Sequence, residues 1–204
     1  AVTVSGGNPV LEIQVGNQVR QAQFLWGSGG NYLVFGYRLQ PGEFDNDGIV
    51  LLSIMLNDAT IRDLAGNDAS LSFTAPNTSG ILVDAVAPTI VQITPPANGH
   101  YVTGQVLDIL VKFSEPINVG TTSTAKPYIR LRIGSVIRNA VFVSKPNATT
   151  LRFRYVIQAS DHDSNGIEIL SPIARPAGTR IRDLVGNDAI VTFAPPSTTG
   201  VLVN

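Results

Sequence analysis

The chain has 204 residues and a formal net charge of −1, which gives no reason to expect nucleic acid as a partner. It contains no cysteine, so disulfide bonds and thiolate zinc sites are excluded. Hydrophobic residues make up 44% of the chain and charged residues 14%, which predicts a packed core. No run approaches the ~18 apolar residues that a membrane span requires, so no membrane-spanning segment is expected.

Short alternating segments between clusters of Gly, Pro, Asn and Asp predict β-strands along the whole chain. Clear examples are residues 10–15, 128–133 and 151–156. No stretch of a dozen residues has helical periodicity. The predicted fold class is therefore all-β.

The chain contains an internal repeat, which largely determines its predicted architecture. Matching residues in 9–49 and 127–167 are separated by a constant 118 positions, and after a short insertion near residues 172–178 the separation becomes 120. The matches include Pro9, Gly16, Arg20, Tyr37 and Asp45 with Pro127, Gly134, Arg138, Tyr155 and Asp163. The chain is therefore predicted to be two copies of one sandwich module, residues 1–84 and 85–204.

The second copy contains a segment that the first copy lacks. Residues 89–118 include two predicted strands, and they have no counterpart before residue 9. The first module is thus expected to lack its opening strands, which would expose apolar surface and an unpaired sheet edge. Either a neighbour fills this gap or the chain is an excerpt from a longer array of modules.

Two acidic loops, residues 43–48 and 161–166, have oxygen-bearing side chains at alternate positions followed by Gly. This spacing resembles the first half of an EF-hand loop, in which alternate residues face one hard cation. The twelfth EF-hand position falls on Ile54 and Pro172, so further ligands would have to come from elsewhere.

Most of the acidic residues lie in these loops, in two later loops and in the linker. Crowded carboxylates repel one another unless a cation neutralises them, and flexible all-oxygen loops suit Ca²⁺ better than Mg²⁺. The alternative is that Asp, Asn and Gly merely form turns here. The candidate calcium ligands are Glu43, Asp45, Asp47, Asp63, Asn67, Asp68, Asp84, Asp161, Asp163, Asn165, Asp183, Asn187 and Asp188.

The two copies differ in charge. Residues 1–84 carry a net charge of −5, whereas residues 85–204 carry +4. Strand alternation places four arginines on one outer face. This face is interpreted either as a solvated surface or as a site for an anionic polysaccharide or a lipid headgroup. Trp26 at a hairpin tip is a candidate contact with sugar or with a neighbouring subunit, or a cap on the core. The candidate partner residues are therefore Trp26, Arg130, Arg132, Arg152 and Arg154.

Several motifs together resemble the immunoglobulin-like (cadherin-like) tandem repeats of giant bacterial surface proteins and secreted adhesins. They are Val83-Asp84 with Ala87-Pro88-Thr89, Phe113-Ser114-Glu115-Pro116, Phe153-Arg154-Tyr155-Val156-Ile157-Gln158, and Ile181-Arg182-Asp183-Leu184-Val185-Gly186-Asn187-Asp188. The resemblance implies immunoglobulin-like sandwiches stiffened by calcium. It also implies an extracellular location, on the bacterial cell surface, in a biofilm or secreted.

We therefore expect a structural and adhesive protein without enzymatic activity. Its two histidines, His100 and His162, do not recur between the copies, and no Ser-His-Asp arrangement is evident. One alternative is a self-assembling fibre subunit, in which the first module accepts strands from a neighbour and opposite charges favour head-to-tail contact. A carbohydrate-binding module is a second alternative.

Overall fold

A computed structural model describes all 204 residues, and the chain is all-β, with several sheets and no helix. It divides into two compact units, Ala1–Val86 and Ala87–Asn204. The division falls two residues after the boundary drawn from the repeat. The structure contains no helix with the length and apolar character needed to cross a membrane.

Unit 1 contains eight strands in three sheets. They are β1 Val2–Gly6, β2 Val10–Val15, β3 Gln18–Trp26, β4 Val34–Gly36, β5 Phe44–Asp45, β6 Val50–Met55, β7 Ala59–Asp63 and β8 Val83–Asp84. The largest sheet is antiparallel in the order β4-β3-β2-β6, and β1 pairs with β7 and β5 with β8. Strand β4 therefore lies at an open edge.

Unit 2 contains ten strands. They are β9 Ile90–Thr94, β10 Gly99–Tyr101, β11 Val106–Phe113, β12 Asn118–Gly120, β13 Tyr128–Ile133, β14 Val136–Asn147, β15 Thr150–Val156, β16 Glu168–Ala174, β17 Arg180–Arg182 and β18 Val201–Val203. Its main sheet has the order β16-β13-β14-β15-β11-β9. In addition, β12 pairs with β17, and β10 pairs in parallel with β18.

The same hairpin register recurs in both units. Strands β2 and β3 pair Ile13 with Arg20, and β13 and β14 pair Leu131 with Arg138. Gly16 begins the first hairpin turn with a φ of 54°, and a Cβ there would lie 2.4 Å from the carbonyl oxygen of Phe44. A side chain at this position would therefore clash, so glycine allows the turn to approach the acidic loop closely.

The two hydrophobic cores differ in completeness. The unit 2 cluster comprises twenty buried residues contributed by most of its strands. In unit 1 the buried cluster contains only Ile13, Val15 and Val83, with half-buried side chains around them. Unit 2 owes much of its closure to β11, whose inward residues Leu107 and Ile109 are fully buried.

Candidate metal-binding loops

The first acidic loop is organised by the carboxylate of Asp45, at the end of β5. Its Oδ2 accepts a hydrogen bond of 2.6 Å from the backbone N–H of Gly16. Its Oδ1 accepts bonds of 3.2 and 2.7 Å from the N–H groups of Asp47 and Gly48. The bond from Gly16 is the main reason that the pKa of Asp45 lies below its ordinary value. This buried side chain therefore ties the loop to the β2–β3 turn.

Asp163 makes the same contacts in unit 2. Its Oδ2 accepts a bond of 2.6 Å from the N–H of Gly134, and its Oδ1 accepts bonds of 3.1 and 2.8 Å from Asn165 and Gly166. It is also buried. A carboxylate offers about four acceptor positions, so three of them are already occupied by backbone donors.

Glu43 is buried, and it belongs to a partly buried network that joins three parts of unit 1. Its Oε1 accepts hydrogen bonds from Arg20 Nε at 2.5 Å and from the Tyr37 hydroxyl at 2.6 Å. Its Oε2 accepts a bond of 2.7 Å from the N–H of Gln40. Burial by itself would raise the pKa of Glu43, but these bonds outweigh it and lower the pKa. Glu43 is therefore ionised and fully engaged within the fold.

Asp161 occupies the corresponding place in unit 2, and its side chain is one methylene group shorter than that of Glu43. It receives bonds from Arg138 Nε at 2.7 Å, the Tyr155 hydroxyl at 2.5 Å and the N–H of Gln158 at 2.8 Å. Burial opposes ionisation of Asp161, yet the three donors hold its pKa below the ordinary value. Burial, followed by the bond to this carboxylate, raises the pKa of Tyr155 to about 12.

The alternating loop residues are thus not gathered around one point. Glu43, Asp45 and Asp47 do not form a group of three carboxylates within 4.8 Å, and neither do the acids of the second loop. Asp47 is exposed beside a largely polar cavity of about 330 Å³ that Asn17 and Asn46 also line. The donors Arg20 and Arg138, and the hydroxyls of Tyr37 and Tyr155, were not among the predicted site residues. These residues recur in both copies of the repeat, and this recurrence was the signal from which they could have been predicted.

The later loop of unit 2 folds around Asp183. Its Oδ1 accepts bonds from the N–H groups of Val185, Gly186 and Asn187 at 3.0, 2.6 and 2.8 Å. The side-chain amide of Asn187 donates to Oδ2 at 2.6 Å. Burial would raise the pKa of Asp183, but these donors lower it. Asn187 therefore acts here as a donor to the carboxylate.

The matching loop of unit 1 has similar bonds in a more open setting. Asp63 accepts from the N–H groups of Ala65 and Asn67, both at 2.9 Å, and from the Asn67 amide at 2.9 Å. The Asn67 side chain is the main cause of the lowered pKa of Asp63. Asp63 is exposed, whereas its counterpart in unit 2 is only 3% exposed.

The remaining predicted acids have close partners of their own. Asp68 pairs with Arg62 at 2.7 Å, and Asp188 pairs with Arg182 at 2.8 Å. The Asp84 carboxylate accepts a bond of 3.1 Å from the N–H of Val86. These contacts make turn and surface interactions within each unit.

One further acid of unit 2 approaches the Asp183 loop. Carboxylate oxygens of Glu115 and Asp183 lie within 4.8 Å of one another. Glu115 follows β11, and it was not among the predicted ligands. The repeat did not reveal it, because the first copy has no corresponding segment.

The predicted arginine face lies on β13 and β15, and its charge is partly balanced. Arg154 donates two bonds of 2.7 Å to Asp108 on β11, and Arg152 lies 4.0 Å from the same carboxylate. Arg132 pairs with Glu168 at 3.5 Å. The exposed pair of Arg132 with Glu168 adds little stability. All of these contacts reduce the positive charge available to an anionic ligand.

Trp26 is exposed at the end of β3. Its ring contacts Tyr32 edge-on, with centroids 5.6 Å apart and an interplanar angle of 79°. Of the two histidines, His100 lies 2.9 Å from the side-chain amide of Asn204, and His162 is exposed.

Comparison with protein-family models and with curated protein sequences finds no match to this chain.

Proposed function

We propose that the chain consists of two immunoglobulin-like modules of an extracellular bacterial adhesin or fibre, with a structural and adhesive role rather than an enzymatic one. The support is the repeat in the fold. Both units retain the hairpin register and the partly buried network of arginine, tyrosine and carboxylate, while their net charges have opposite signs. Modules that keep their inner contacts and vary their surfaces suit a serial spacer.

The proposed cofactor is Ca²⁺ bound to unit 2, and the observation that carries it is the approach of Glu115 to Asp183. Two carboxylates at this separation repel one another, more strongly where one is buried, and a divalent cation would relieve the repulsion. Ca²⁺ accepts carboxylates, backbone carbonyls and water in a flexible shell, whereas Mg²⁺ demands nearly ideal octahedral geometry. The open loop ends of a β-sandwich therefore suit Ca²⁺ better.

The test is thermal unfolding of the whole chain in calcium and in excess chelator. Extracellular modules bind Ca²⁺ with Kd values of roughly 10⁻⁴–10⁻³ M. A calcium concentration about 100 times Kd would stabilise unit 2 by about 2.7 kcal/mol. For a domain of this size, that corresponds to a rise in Tm of roughly 10 °C. Trp26, the single tryptophan, reports unit 1, and circular dichroism reports both units.

Glu115→Gln provides the site-specific arm, and Glu168→Gln is its matched control. Glu168 lies in the same unit, but its only described ion pair is the exposed one with Arg132. We expect Glu115→Gln to abolish the effect of calcium on Tm and Glu168→Gln to preserve it. An unchanged melting curve in chelator would count against the calcium proposal. Equal stabilisation by Mg²⁺ would contradict the choice of cation.

A further inference from the structure

Unit 2 contains a largely polar cavity of about 240 Å³ beside the loop that joins β16 to β17. Three arginines line it, Arg175, Arg180 and Arg182, and the one acid among its lining residues is Asp188. Three positive charges and one negative charge leave a net charge of +2 around the cavity. Like charges gathered at one place repel one another, and an anion bound between them would relieve the repulsion.

The single acid engages only part of this charge. Asp188 accepts a hydrogen bond of 2.8 Å from Arg182 Nε, whereas Arg175 Nη1 lies 3.9 Å from the same carboxylate, beyond hydrogen-bond distance. Arg180 donates a bond of 3.0 Å to the carbonyl oxygen of Thr179. Each guanidinium has five N–H donors in a planar fork that matches the oxygens of a carboxylate, sulfate or phosphate. Most donors of Arg175 and Arg180 are therefore available to a ligand.

The loop beside the cavity is longer than its counterpart in unit 1. Five residues, 175–179, join β16 to β17, whereas three residues, 56–58, join β6 to β7. The shorter loop contains no basic residue, and Thr60 stands where unit 2 has Arg180. The additional arginines thus accompany the longer loop, and the fold that the two units share does not require them.

The longer loop has a defined shape. The hydroxyl and the N–H of Thr179 both donate to the carbonyl oxygen of Pro176, at 2.7 and 3.0 Å. Thr179 is only 1% exposed. Gly178 has a φ of 81°, in the left-handed region that glycine adopts without strain. These features fix the turn that brings Arg175 and Arg180 to the same cavity.

We propose that this cavity binds an oxyanion group, a carboxylate, sulfate or phosphate, of an anionic polysaccharide. Sites that enclose a whole small molecule are usually larger, roughly 300–1,000 Å³, so the cavity fits one charged group of a larger ligand. Contacts with exposed arginines are individually weak, and a polymer compensates by presenting many such groups at high effective concentration. The proposal requires no calcium.

A membrane surface is the less favourable ligand. Proteins that lie on a bilayer usually insert large apolar side chains beside their basic residues. The only apolar residues that line this cavity are Pro176 and Ala177, and both have small side chains. The chemistry of the cavity therefore suits a hydrated anionic polymer better than a lipid headgroup.

The test measures binding of the full chain to immobilised dextran sulfate and polygalacturonate by biolayer interferometry, in excess chelator and with neutral dextran as the reference. We expect saturable binding to at least one anionic polymer and none to the neutral one. Sodium sulfate should release the chain more strongly than sodium chloride at the same ionic strength, because sulfate also competes for the arginine forks. Absence of binding to both anionic polymers, or equal release by the two salts, would overturn the proposal.

The double variant Arg175→Gln with Arg180→Gln should bind at least about tenfold more weakly. Its matched control is Arg130→Gln with Arg132→Gln, which removes the same charge from β13, outside the cavity. All four residues are exposed, so both variants should keep the fold, as circular dichroism would verify. The control should bind like the original chain. Equal weakening would mean that net charge alone explains binding, and it would contradict the assigned site.

Two further results would assign the cavity to another ligand and overturn the choice of a polysaccharide. One is a rise in Tm with inorganic sulfate that the Arg175→Gln, Arg180→Gln variant abolishes, without binding to either polymer, which would identify a free ion. The other is binding to phosphatidylserine vesicles that the same variant abolishes, again without binding to either polymer, which would identify a lipid headgroup.

Discussion

The two units of this chain share a plan but differ in how completely it is closed. Unit 2 has a six-stranded main sheet and a core of twenty buried residues, whereas the main sheet of unit 1 has four strands and only three residues form its buried cluster. The difference lies at one side of the sheet. β11 covers β15 in unit 2, but β4 has no such cover in unit 1.

The acidic networks are nevertheless the same. Glu43 and Asp161 each accept bonds from an arginine, a tyrosine and a backbone N–H, at corresponding places in the repeat. These bonds therefore belong to the part of the module that both copies share. The core and the network can be tested separately, because one differs between the units and the other does not.

The largest expected difference comes from truncating one phenylalanine in each unit. Phe35 and Phe153 make nearly the same edge-on aromatic contact, with centroids 5.9 and 6.1 Å from Phe24 and Phe142. Only Phe153 is fully buried. Phe153→Ala should therefore destabilise unit 2 by about 3–5 kcal/mol, and Phe35→Ala should destabilise unit 1 by about 1–2 kcal/mol.

Denaturant unfolding would measure both effects. Fluorescence of Trp26 follows unit 1, and circular dichroism follows the whole chain, so the two transitions can be assigned separately. Equal losses in the two units would show that Phe35 is as well packed in solution as Phe153.

A medium effect is expected from the acidic network. Asp161→Asn keeps the size of the side chain but removes the charge that pairs with Arg138, and the Asp161 side chain is fully buried. Unit 2 should lose about 2–3 kcal/mol, because a charge-assisted bond is lost and a donor is left without its acceptor. Glu43→Gln should cost unit 1 less, since Arg20 is more exposed than Arg138.

The pH dependence of the stability of unit 2 tests the same network. The pKa of Asp161 is lower in the folded state than its ordinary value of 3.8. Its stabilisation is therefore complete above this value and is lost as the pH falls through the folded pKa. Asp161→Asn should flatten the acid side of the stability profile of unit 2. A profile identical to that of the original chain would contradict the proposed role of the carboxylate.

These comparisons also show how far sequence reasoning extends. Alternation and turn residues predicted strands such as β2 and β13, because these signals are local and each strand has one buried face. The repeat placed Asp45 and Asp163 in equivalent loops. The spacing of the acids could not show which donors they meet, since Arg20 and Tyr37 lie many residues away and are brought close only by the hairpin.

The pair Glu115 and Asp183 in unit 2 shows where comparison of the two copies fails to identify a site residue. Glu115 follows a segment that the first copy lacks, so comparison of the copies could not single it out. Asp183 was predicted from its loop, but its burial depends on residues distant in sequence. An Asp-Asn-Gly loop is equally compatible with turn formation and with cation binding. Only the approach of a second carboxylate favours a cation here.

The smallest expected effect concerns the tyrosine of the same network. Burial, and then the bond to Asp161, raises the pKa of Tyr155 from 10.0 to about 12. The folded state therefore holds this proton more tightly than the unfolded state. Its contribution to stability is complete below pH 10.0 and is lost as the pH rises through about 12.

An ultraviolet titration of phenolate formation would measure this shift. Asp161→Asn should bring the pKa of Tyr155 part of the way towards 10.0, because the charge is removed while the burial remains. Glu43→Gln should leave Tyr155 unchanged and lower the pKa of Tyr37, which burial and Glu43 raise. If neither substitution changed the pKa of the tyrosine in the same unit, burial alone would account for both pKa shifts. The carboxylates would then stabilise the modules through their arginine and backbone partners.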